Sequence, residues 1–130
     1  MTVLAFVVPG PPVPKGRPRF GKGFSYTPKR TRDYERTVRL CAQAAVSAAR
    51  WSPDEGAYQV EIRVYRAANR GDLDNFCKAA TDPLNGLVWP DDRLVTSLAA
   101  TMHVDRERPR LEVRVTKASS APPTPPYHSA

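Results

Sequence analysis

Residues 9–18 read PGPPVPKGRP, with five prolines in ten positions, and four glycines have passed by residue 23. Proline removes a backbone donor and fixes φ, while glycine leaves the chain unrestrained, so neither a helix nor a central strand survives there. The chain is therefore divided early by an extended loop, with room for a short hairpin at FGKGFSY, residues 20–26. The run before it, VLAFVV at 3–8, is short, continuous and rich in β-branched residues, which predicts a fully buried strand. It is far short of the roughly 20 residues needed to cross a bilayer. No basic residue precedes it and PGPPVPK follows, so it does not read as a signal peptide, and the expectation is a cytoplasmic protein without a membrane partner. Cys41 and Cys77 make no disulfide framework, suit a reducing compartment and read as core filler.

Beyond the loop the periodicity changes. TPKR offers Thr27 as N-cap and Pro28 as first helical residue, and the spacing predicts a helix over 28–50 with Tyr34, Val38, Cys41, Ala45 and Ala48 inward. Arg32, Arg36, Arg39 and Gln43 mark its wetter side. AYQVEIRVYRA alternates, placing Tyr58, Val60, Ile62 and Val64 on one face of a strand and Gln59, Glu61 and Arg63 on the other. After the turn ANRGD, Asp74 is positioned to cap a helix through NFCKAAT that turns Phe76, Ala79 and Ala80 inward and stops or kinks near Thr81 or Asp82 before Pro83. LVTSLAATMHV and LEVRVTKA read as two strands joined through DRERPR as an antiparallel hairpin. The order β-α-β-α-β-β predicts an α+β fold, a mixed sheet of about four strands packed by two helices. One domain covers residues 1–117, and 118–130, ASSAPPTPPYHSA, is expected to be a disordered tail.

Charge then narrows the function. Seven bases (Lys15, Arg17, Arg19, Lys22, Lys29, Arg30, Arg32) and no acid fall within residues 15–32, leaving thirteen bases against thirteen acids elsewhere. The whole excess of +7 lies in one stretch, the mark of a polyanion partner. Yet residues 69–95 hold five of the thirteen acids: Asp72, Asp74, Asp82, Asp91 and Asp92. Two aspartates at about 5 Å repel by roughly 3 kcal/mol at an effective dielectric near 20, a cost removed by divergence into water, protonation or a cation. Asp72 and Asp74 stand at i and i+2 of a strand-to-helix junction, and Lys78 lies one turn beyond Asp74.

If the turn carrying Asp91 and Asp92 folds back beside them, the donors are oxygen alone, a set for magnesium or manganese. Such an ion neutralises a phosphodiester and lowers the pKa of water, and two ions about 4 Å apart clamp attacking and leaving oxygens. Lys78 then neutralises a phosphate oxygen or the leaving group. A D-x-D pair alone is a weak signal, because Asp also caps helices and makes turns; the conjunction with a lysine and a polycationic arm is what carries weight. An EF-hand loop from Asp72 fails on Phe76, Cys77 and Pro83, and a DxDx[TV] phosphotransferase fails on Phe76. His103 reads as structural and His128 lies in the tail.

The stretch RGDLDNFCKAATDPLNGLVWPDDRLV, with the earlier VPKGRPRF and YTPKRTRDYE, resembles the RusA family of Holliday junction resolvases over roughly residues 5–116. The resemblance implies a small, magnesium-dependent homodimeric endonuclease of a bacterial host or phage that nicks opposing strands of a four-way junction symmetrically. It assigns Asp72, Asp74 and Asp92 as metal ligands and Lys78 as the partner lysine. Asp91 and Asp82 fall on common acids, with Asp82 orienting a neighbour, and Asn75 stands behind the ligands or holds the turn. Pro83 departs from the family's helix former and bears on the length of the second helix. A two-fold dimer matches the symmetry of the junction, through a sheet edge or the apolar turn Leu87, Val88, Trp89, with core packing the alternative for Trp89.

The seven bases of residues 15–32 would hold phosphates by shape, and seven such contacts give a log–log salt slope near −6. Phe20, Phe24 and Tyr26 stack on unpaired bases or anchor the loop. Two other readings stand beside the resolvase: a non-catalytic branched-DNA-binding protein, and a nuclease preferring forks or flaps.

Overall fold

In the computed structural model, residues 2–17, 19–21 and 24–118 are described, with 19–21 and 24–26 described as backbone alone. The expectations for Lys22, for the side chains of Arg19, Phe20, Phe24 and Tyr26, and for the tail from residue 119 lie outside the described residues. The elements are β1 (Thr2–Pro9), β2 (Arg19–Gly21), β3 (Phe24–Tyr26), α1 (Lys29–Ala49), β4 (Tyr58–Arg66), α2 (Leu73–Thr81), β5 (Val95–Val104) and β6 (Arg110–Lys117). β2 and β3 form the hairpin expected inside the basic loop. The other strands make one mixed sheet in the order β1-β6-β4-β5, with two helices, an α+β fold as expected. No helix among the described residues is long and apolar enough to cross a membrane.

Two strand expectations are corrected. VLAFVV is not buried on both sides: Leu4, Phe6 and Val8 face the core while Val3 and Val7 are 43% and 51% exposed. The strand lies at the edge of a sheet with one open face, so its continuous run is half solvated. β5 and β6 do not form a hairpin either. β6 enters between β1 and β4, antiparallel to both, and β5 pairs parallel with β4 at the opposite edge. Residues 105–109 carry the chain across the end of β4, where Asp105 N–H donates to the Arg66 carbonyl at 2.8 Å. Alternation in Leu111, Val113 and Val115 fixes which face turns inward; it says nothing about which neighbour a strand chooses.

The inner rows of three strands and both helices make the core. Tyr58, Val60, Ile62 and Val64 of β4 are at most 1% exposed, beneath Tyr34, Val38 and Ala42 of α1 and Phe76, Ala79 and Ala80 of α2. Each fully buried Val, Leu or Ile contributes about 1.5–3 kcal/mol. The inward stripe of α1 is Thr31, Tyr34, Val38 and Ala42, with Ala48 exposed, contrary to expectation. Pro28 occupies the N-cap position rather than the first turn, one residue from the expected start. α2 ends at Thr81, and Pro83 sits in a 3₁₀ turn, Asp82–Leu84, that proline tolerates near its start. Trp89 is fully buried, with its ring centroid 5.9 Å from that of Tyr58, and Trp51 Nε1 donates to the Val88 carbonyl at 2.8 Å. The turn Leu87–Trp89 is thus core, and is withdrawn as an interface.

Candidate functional site

The acidic turn is built by the crossover from β4 to α2. Gly71 has φ +93°, a left-handed conformation, and a Cβ there would lie 2.7 Å from the Phe76 ring. The next residue, Asp72, is the N-cap of α2, so the cap falls two residues before the expected Asp74. The Phe76 N–H makes the first intrahelical bond to the Asp72 backbone carbonyl at 3.1 Å, and the Asn75 N–H, which an N-cap carboxylate can take, also donates to that carbonyl at 3.1 Å. The side chain makes no capping bond, which leaves its carboxylate free in an exposed position. Asp74, also exposed, lies in the first turn, where a negative charge suits the helix dipole. Lys78 stands one turn further on, exposed, without an ion pair among the described residues.

A cavity of about 500 Å³ opens beside this turn, with Lys15, Arg17 and Arg30 on one wall and Asp72 and Asn75 on the other. The Asn75 carbonyl accepts the Lys15 N–H at 2.8 Å, and Gly16 N–H donates to Thr31 Oγ1 at 3.0 Å, so the loop is laced to both helices. Its bases differ in availability. Lys15 Nζ lies 2.7 Å from Glu35 and 3.1 Å from Asp82. Burial alone lowers its pKa, but hydrogen bonds and charge from Glu35 and Asp82 outweigh that and raise it. Lys29 pairs with Asp33 at 2.7 Å. Arg17, Arg30 and Arg32 have no ion pair among the described residues. Periodicity gave no warning that Glu35 would reach Lys15, because the partners are 20 residues apart.

The second acidic turn lies elsewhere. Asp91 Oδ1 accepts the Arg93 N–H at 3.0 Å, capping the 3₁₀ turn Asp92–Leu94. Asp92 Oδ1 accepts Trp89 Nε1 at 2.7 Å. That indole packs on Tyr58, the first residue of β4, whereas Asp72 follows the last, Arg66. Because β4 and β5 run parallel, with Tyr58 opposite Val95 and Arg66 opposite Val104, Asp92 and Asp72 lie at opposite ends of the strand pair. Eight steps of about 3.3 Å separate the two ends of that strand pair by roughly 26 Å. The expected convergence of the two turns within one chain is therefore corrected. Among the described residues no three His, Cys, Asp or Glu side chains group closely enough to share an ion. One chain places two oxygen-donor carboxylates and Lys78 on a single short segment, the start of α2. That donor set suits a hard cation but falls short of the expected three.

Oxygen donors at a helix start thus stand beside a groove whose bases attract phosphate. Residues 9–116 match the model of the family described as Endodeoxyribonuclease RusA, and the chain belongs to that family. It is thereby an endodeoxyribonuclease of the Holliday junction class. It is also 28% identical to "Uncharacterized protein YqaN" of Bacillus subtilis (strain 168), over 92% of this chain and 100% of that one.

Proposed function

We propose that the protein is a magnesium-dependent resolvase that cuts four-way DNA junctions by paired symmetric nicks, working as a homodimer. The observation that carries this reading is the Asp72 carboxylate: it stands at a helix N-cap without capping and faces a groove walled by arginine. Asp72 and Asp74 would hold the ion, which when bound supplies charge neutralisation at the phosphate and a more acidic water. Lys78 neutralises a phosphate oxygen or the departing one, and Arg17, Arg30 and Arg32 orient the strand.

The third carboxylate is best supplied by a second chain. The inner face of β5 is unfinished: Leu98 and Val104 are 51% and 43% exposed, whereas Leu4, Phe6 and Val8 of β1, Tyr58, Val60, Ile62 and Val64 of β4 and Leu111, Val113 and Val115 of β6 are at most 9% exposed. From Val95 to Val104 the strand carries no Asp, Glu, Lys or Arg, so nothing along its free edge discourages pairing. Antiparallel pairing of β5 with its two-fold copy carries each Asp92 to the Val104 end of the other strand, the end at which Asp72 and Asp74 begin α2.

The test is a synthetic four-way junction incubated with and without magnesium. Paired nicks are expected from the wild type and from neither Asp72→Asn nor Asp92→Asn, with binding retained in both. Binding with no cutting under magnesium or manganese would reject the nuclease in favour of a junction clamp, a reading favoured by the two-carboxylate cluster of the single chain. Competition with fork and flap DNAs ranks the substrates.

A further inference from the structure

Beside the acidic turn lies a second recess of about 250 Å³. Pro11, Pro12 and Phe76 line it with apolar surface, and Arg30, Arg66 and Arg70 supply its polar groups. It shares Pro14, Arg30 and Gly71 with the groove that contains Asp72, so a strand lying in one extends into the other. No acid lines it. Arg66 donates from Nη1 to the Gly71 carbonyl at 3.1 Å and from Nη2 to Asn69 Oδ1 at 2.6 Å, both neutral acceptors. Its Nε is buried with no partner among the described residues. Arg30 and Arg70 make no ion pair among the described residues. Three arginines thus line one recess, none of them in an ion pair among the described residues, beside the apolar surface of Pro11, Pro12 and Phe76. The guanidinium fork matches phosphate oxygens in pairs, and the recess is placed to receive one.

We propose that this recess is a phosphate subsite: it seats the phosphodiester next to the one being cut, on the same strand, and so selects which bond is set against Asp72 and Asp74. The proposal rests on the nuclease reading of the adjoining site. Arg66 gives it a positioning role as well, since the guanidinium that lines the recess also ties down residues 69–71, immediately before Asp72. A phosphate bound there therefore steadies the turn that presents the carboxylates.

The experiment measures binding of a four-way junction without divalent metal, replacing one phosphate at a time around the crossover by a neutral methylphosphonate. In the wild type, one replacement beside the expected cut is predicted to weaken binding about tenfold. Arg70→Ala, at an exposed position, should weaken the unmodified junction by a similar factor and lose sensitivity to that replacement alone; Arg30→Ala, whose residue lines both grooves, should lose sensitivity there and at the phosphate set against Asp72. Variants that keep the wild-type interference pattern overturn the subsite. So does a flat methylphosphonate series together with tight binding of inorganic phosphate, which would identify a free anion as the occupant. The readout does not require cutting. A protein that shows the localised interference but never nicks keeps the subsite and loses the nuclease reading; one that nicks with no localised interference does the reverse.

Discussion

Asp72 combines a position that suits capping with a side chain that does not cap. Because no hydrogen bond depends on its charge, Asp72→Asn is expected to leave the folding free energy within about 0.5 kcal/mol of wild type while cutting falls by at least about 100-fold. Thermal denaturation beside a junction assay checks the pair, and a large stability loss would make the carboxylate structural instead. Asp92 behaves differently. An amide oxygen still accepts from Trp89 Nε1, but Asp92→Ala strips a partner from a fully buried indole, at a cost of about 1–3 kcal/mol. Gly71 is the residue on which the turn depends: with φ +93° and no space before Phe76, Gly71→Ala should cost about 1–3 kcal/mol and displace Asp72.

Among the elements, the basic loop and β5 each do something their residues alone do not announce. Lys15 was expected on DNA, yet its ammonium joins the loop to α1 and to the end of α2 through Glu35 and Asp82. Its folded pKa is raised, so its contribution is complete below the ordinary lysine value of about 10.4 and is lost as pH rises through the folded value. Denaturation midpoints recorded from neutral to strongly alkaline pH should fall more steeply for the wild type than for Lys15→Met, which starts lower. Equal slopes would remove the loop's anchor. For β5, Leu98→Asp puts a charge on a half-exposed position, so it should leave the chain folded yet shift the proposed dimer to monomer in sedimentation. An unchanged dimer would send the interface elsewhere.

The whole assembly yields the sharpest outcome. If each site takes Asp72 and Asp74 from one chain and Asp92 from the other, Asp72→Asn and Asp92→Asn proteins are each inactive alone. Mixed and allowed to exchange subunits, they form heterodimers with one intact site, which nick one strand only. Sites contained within single chains would stay dead in the mixture, because every chain would then lack one ligand. The salt dependence changes as well: with Lys15 and Lys29 held by acids, the slope per subunit should be shallower than about −6.

Much was readable from the chain alone. The alternation of Tyr58, Val60, Ile62 and Val64, the stripe through Tyr34 and Val38, and the breakers of residues 9–18 determined the elements. Local periodicity records which face each segment buries. The acidic pair beside Lys78 and the cationic stretch were legible for the same reason, since near neighbours in sequence remain neighbours in space. What the tertiary structure alone decided was every relation across distance: β6 between β1 and β4, Glu35 at Lys15, and above all the parallel pairing of β4 with β5. A sequence records that two turns are acidic, but a parallel crossover sends them to opposite ends of the sheet, and only strand direction carries that information.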